Sequence, residues 1–138
     1  MIKLWYHGSL KKSNVLDPKQ LEFGIFFSSN PDIAKVYADY RGYLYVLDPI
    51  IYNKLRIKKM DKKIEKMLEQ DERSVIFRHL AEKYDGILAN DIMEELAQTK
   101  DEKEKFYRYW NKIEQAWIVP VLIIFIPICL PYYKIGEK

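Results

Sequence analysis

The chain has 138 residues, 49% of them hydrophobic and 31% charged, which excludes a disordered polymer and fits one folded domain over 1–138. Its net charge of +3 hints only weakly at a polyanionic partner, and a single cysteine, Cys129, rules out an intrachain disulfide and fits a reducing, cytoplasmic compartment. The N-terminal residues carry no apolar run of secretory-signal length, and the apolar stretch Ile118 to Tyr133 is too short, and too often broken by Pro120, Pro127 and Pro131, to cross a membrane.

Ile2 to His7 reads as a first strand ending at Gly8. Lys11 to Gln20 is a polar connection with a turn at Asp17-Pro18, and Gly24 to Ser28 is a second, aromatic strand. A helix start follows: Asn30 caps, Pro31 suits the first helical position, and Asp32 favours the positive end. Ile33, Val36, Tyr37 and Tyr40 then recur at helical spacing, and Gly42 is expected to close the helix. Tyr43 to Leu47 is a third strand, stopped by Asp48-Pro49.

The middle of the chain reads as helical and highly charged. Asp61 to Gln70 and Ser74 to Lys83 carry inward-facing sets at Ile64, Met67, Leu68 and at Val75, Phe77, Leu80. Tyr84-Asp85-Gly86 turns into a short strand at Ile87 to Ala89. Asn90 is placed to cap a further short helix, and Thr99 with Glu102 forms a capping box for a helix to about Lys112. Strands at Ala116 to Ile126 and Ile128 to Ile135 close the chain, with irregularity at the prolines and Cys129 expected in the core. The sum is an α+β fold with mainly antiparallel pairing and a helical middle segment.

The chemistry is carried by His7-Gly8-Ser9, then Gly24-Ile25-Phe26-Phe27-Ser28, then Ala34-Lys35-Val36-Tyr37. A polar His-Gly corner beside two aromatic-bearing elements is suited to a flat slot between rings, with a backbone amide and carbonyl at its floor. Read alone, His7 is equally a structural histidine, and Phe26 and Tyr37 are equally core aromatics. In this order the three blocks resemble the NAD-binding half of the ADP-ribosyltransferases of the diphtheria-toxin and poly-ADP-ribose-polymerase type, in their His-Tyr-Glu version. The resemblance spans about residues 3 to 47 by motif order, and 84 to 125 by strand pattern and one acid.

This resemblance implies an ADP-ribosyltransferase-like split of the sheets and NAD as substrate, with no metal. It implies that His7 contacts the adenine-side ribose, that Gly8 holds the nicotinamide carboxamide through its backbone, with Ser9 completing the triplet, and that Phe26 and Tyr37 sandwich the nicotinamide ring. The family's tyrosine at the first ring is Phe26 here. The catalytic carboxylate falls on Glu114, the acid before the late apolar strand, where it would stabilise the oxocarbenium-like charge that develops on the ribose. As a charge at the end of a helix, Glu114 has an equally simple reading. The activity implied is transfer of ADP-ribose from NAD to an unknown protein or nucleic-acid acceptor, in a small bacterial or phage toxin or effector.

Two rivals stand beside it. One is a catalytically inactive member of the same fold serving as a binding module. The other is a nucleic-acid-binding protein using the basic run Lys54, Arg56, Lys58, Lys59, Lys62, Lys63 and Lys66. Asp61 and Glu65 interleave with that run at helical pairing distance, as on a solvated helix face. His79, within a charged helix, is expected on the surface.

Overall fold

A computed structural model describes residues 3–21, 23–89, 104, 107–109 and 120–136. Seven strands among them form one sheet in the order β4-β5-β6-β2-β1-β3-β7. They are β1 (Trp5–Ser9), β2 (Ile25–Ser28), β3 (Tyr43–Leu47), β4 (Ile57–Lys59), β5 (Gly86–Ala89), β6 (Val121–Ile124) and β7 (Tyr132–Lys134). Helices α1 (Pro31–Tyr37), α2 (Pro49–Tyr52), α3 (Lys62–Gln70) and α4 (Arg73–Leu80) complete an α+β fold in which β4 and β5 are the parallel pair and the other neighbours run antiparallel.

Helix starts follow their local chemistry. The Asn30 side chain accepts from the Asp32 amide at 2.8 Å and Pro31 opens α1, while the Asp61 carboxylate accepts from the Ile64 amide at 2.9 Å to cap α3. Asp48, expected only to stop a strand, accepts from the Ile51 amide at 3.0 Å and starts α2. The end of α1 departs from expectation. The helix stops at Tyr37, and Asp39 and Tyr40 take left-handed backbone at φ 55 and 54. Gly42 lies beyond that turn, and its lack of a side chain serves close packing: a Cβ there would meet the Ser9 carbonyl oxygen at 2.2 Å.

Strand alternation sorts the core into two faces. Ile33 and Val36 of α1, Ile64 of α3, and Ile76, Phe77 and Leu80 of α4 pack with Ile87, Val121 and Ile123 on one face. Trp5, Ile25, Phe27, Tyr45, Leu47, Leu122 and Ile124 pack on the other, with Ile51 and Tyr52 of α2. All four residues of β6 are buried, which is why its sequence is a continuous apolar run and not an alternating one.

Several sequence expectations need correction. His7-Gly8-Ser9 lies inside β1 and pairs with β3, not in a turn after the strand. β4 went unread in the basic segment because Ile57-Lys58-Lys59 has little strand character of its own; parallel pairing with Gly86, Ile87 and Leu88 makes it a strand. Val75 is exposed, and Ile76 takes the inward position. Cys129 is exposed as well, since Ile128 and Leu130 on either side of it turn inward. The expected strand Ile128 to Ile135 reduces to β7, preceded by an isolated bridge in which Ile128 and Leu16 exchange backbone bonds of 3.0 and 2.9 Å. The expected short helix after Asn90, most of the Thr99–Lys112 helix and the Ala116–Val119 part of the late strand lie outside the described residues. No helix of the described residues is long and apolar enough to cross a membrane.

Candidate functional site

The site named by the sequence falls where β1 meets β2. In β3, the Val46 amide donates to Pro131 and the Gly42 carbonyl accepts from Ile135, so even-numbered residues there bond outward, away from β1. Odd-numbered residues of β1 therefore bond to β3, and the amides and carbonyls of Tyr6 and Gly8 face β2. Between β1 and β2 the register is the single pair Tyr6–Ser28. The next pair in that register, Gly8 with Phe26, is not formed. Instead the His7 ring bridges the seam, its Nδ1–H donating to the Phe26 carbonyl at 2.8 Å.

This bond fixes the chemistry of His7. The carbonyl can only accept, so Nδ1 carries the proton and Nε2 presents its lone pair. The ring is 7% exposed, tilted against Phe27 and Tyr45 at centroid distances of 5.5 and 5.9 Å. Burial pushes its pKa down to about 4, against the smaller opposing effect of the Phe26 bond, and the ring is neutral near pH 7. Nε2 is buried without a protein partner.

Gly8 is constrained on its other side. A Cβ there would sit 1.8 Å from the Ala34 carbonyl oxygen, so glycine is what lets α1 lie directly on β1. Ser9 is half-buried and its hydroxyl accepts from the Lys11 amide at 3.2 Å, a local turn contact. Phe26 and Tyr37 both pack at the margin of the core cluster beneath α1 and α4. That is the opposite face of the sheet from the His7 ring, so the seam backbone, not one continuous pocket wall, joins the histidine to the aromatics. Glu114 lies outside the described residues.

Arg73, at the start of α4, was missed by sequence reasoning. It is 6% exposed and its guanidinium lies over the Phe26 ring at 5.1 Å, with Phe77 tilted against that ring at 6.1 Å. The signal was present: Arg73, Ile76, Phe77 and Leu80 follow helical one-face spacing, and a cation in the first place of such a stripe is an inward cation.

A second group at the end of α1 was also missed. Asp39 accepts from Arg108 Nη1 at 2.8 Å and from the Tyr109 hydroxyl, which also reaches the Asp39 carbonyl at 3.0 Å. The Tyr109 hydroxyl foremost, and Arg108 with it, hold the Asp39 carboxyl below its ordinary pKa. The Tyr40 and Tyr109 rings lie 4.8 Å apart, so the left-handed turn clasps the 107–109 segment to α1. Chain distance alone hides this contact from sequence reading.

Among the described residues no group of three or more His, Cys, Asp or Glu is arranged to hold a metal. Comparison with protein-family models, with curated proteins and with solved structures finds no match to this chain.

Proposed function

We propose that this chain is an NAD-binding domain of the ADP-ribosyltransferase type, transferring ADP-ribose to a macromolecular acceptor and releasing nicotinamide. The observation that carries the reading is the interrupted ladder between β1 and β2. It leaves the amide and carbonyl of Gly8 directed into the seam, a donor and an acceptor on one residue that complement a primary carboxamide at two points. The end of direct pairing between the two strands also supports the split sheet of that family. Neutral His7 commits its Nδ1–H to Phe26, and its Nε2 is buried on the face opposite Phe26 and Tyr37, so in this reading His7 holds the seam at which Gly8 would bind.

Phe26 and Tyr37 would flank the nicotinamide ring. In the reaction the bond from the ribose C1′ to the nicotinamide nitrogen breaks, and its electron pair leaves with the neutral base. A lone pair of the acceptor forms the new bond to C1′, and the acceptor loses its proton to solvent. Glu114, the acid assigned by sequence, would stabilise the positive charge on the sugar, and Glu114→Gln is expected to slow turnover about a hundredfold with NAD affinity retained.

A second reading is a binding module of the same fold without catalysis. Its support is specific: the guanidinium of Arg73 already lies over the Phe26 ring on which the first reading stacks nicotinamide, and Phe26 lacks the phenol of the family's tyrosine. Titration with NAD, followed by melting temperature and calorimetry, and incubation with labelled NAD and lysate separate the two. Binding with transferred label supports the enzyme, binding without turnover supports the module, and no binding by the folded protein refutes both.

A further inference from the structure

The positive charge of this protein is concentrated in one place. Residues 54–66 carry seven basic and two acidic side chains, a net +5 against +3 for the whole chain, leaving −2 for the remainder. They fold as β4, the terminal strand of the described sheet, followed directly by α3. Two of the cations are engaged locally: Arg56 with Asp85 at 3.2 Å and Lys58 with Asp61 at 3.7 Å. Asp61 is further committed as the cap of α3.

Lys54, Lys59, Lys62, Lys63 and Lys66 are all exposed, and none has an ion-pair partner among the described residues. Lys62 and Lys66, one helical turn and about 6 Å apart along the axis, project on the side of α3 opposite the buried Ile64. Glu65 and Glu69 bound this cationic strip on one flank. Clustering of unpaired like charges costs stability through self-repulsion unless a counter-charge is present, and a polyanion supplies one. The segment contains no aromatic residue on which bases can stack, so recognition there is through phosphates, not base faces.

We propose that the β4 edge and the outer face of α3 form a docking surface for the phosphate backbone of a nucleic acid, contacted by these five lysines without regard to sequence. This inference is independent of NAD binding at the β1–β2 seam.

The test is fluorescence anisotropy of a labelled 20-base-pair DNA duplex titrated with the full chain across a series of salt concentrations. Three to five neutralised phosphates predict that log K falls with log salt at a slope of about −3 to −4.5, with Kd in the range of about 10⁻⁴ to 10⁻⁶ M at physiological salt. The triple variant Lys62→Glu, Lys63→Glu, Lys66→Glu should weaken binding at least tenfold and flatten the slope by about 0.9 for each phosphate no longer neutralised. Its melting temperature should stay close to wild type, because these side chains are exposed, and any response to NAD should be unchanged. A slope near zero, or a folded triple variant that binds as tightly as wild type, overturns the proposal. Binding of labelled poly-glutamate as tight as that of the duplex overturns it too, in favour of an acidic polypeptide.

Discussion

His7 makes the protein's stability depend on pH between the ordinary imidazole range and about 4. Its pKa falls from 6.5 in the unfolded chain to about 4 in the folded one, because burial among Phe27 and Tyr45 disfavours the charged ring. The unfolded chain therefore binds the proton more readily than the native state. Stability from this group is complete above pH 6.5 and is lost as pH falls toward 4. At about 1.4 kcal/mol per pH unit, the loss between pH 7 and pH 4 amounts to about 3 kcal/mol. In a chain of this size that lowers the melting temperature by about 10 °C.

The assay is urea unfolding of wild type and His7→Gln at half-unit steps from pH 7.5 to pH 4. Every other titratable group is common to both proteins, so the difference between the two curves isolates His7. His7→Gln should be less stable at pH 7, having lost the fitted ring and its bond to Phe26, and the gap should close by about 3 kcal/mol as pH drops to 4. Parallel curves would refute the reasoning, since they would mean that the ring accepts a proton in the folded state as easily as in water.

Other perturbations test the packing around the seam. Gly8→Ala should destabilise by about 3 kcal/mol or more, since its Cβ would collide with the Ala34 carbonyl and lift α1 from β1; thermal melting reads this directly. Asp39→Ala should cost about 1–2 kcal/mol by denaturant unfolding at pH 7, and the gap from wild type should narrow in acid, where the wild-type carboxyl gains its proton and its charged bonds to Arg108 and Tyr109 weaken. Arg73→Ala tests whether Phe26 stacks the nicotinamide: if it does, the variant uncovers the ring and NAD binds more tightly by calorimetry, whereas unchanged affinity in a folded variant places the nicotinamide elsewhere.

What was legible in the sequence is what local chemistry dictates. Asn30-Pro31-Asp32 starts a helix because the cap, the ring constraint and the charge act within one turn, and Tyr43 to Leu47 forms a strand because its apolar residues suit a pleated sheet between two turn signals. The α+β class followed from the order of such segments. The His-Gly-Ser and aromatic blocks were visible as candidates, but nothing local could tell that the His7 and Phe26 rings lie on opposite faces of one sheet.

Tertiary structure alone decided the rest, because the deciding partners are far apart in the chain. β4 exists through pairing with residues about thirty positions later. Cys129 faces out because its neighbours were claimed by the core, and the left-handed turn at Asp39 and Tyr40 is held by Arg108 and Tyr109. The seam itself is such a product: β1 and β2 are each ordinary strands by sequence, and only the end of their pairing at Tyr6 and Ser28 leaves the His7 ring to bridge from β1 to the Phe26 carbonyl.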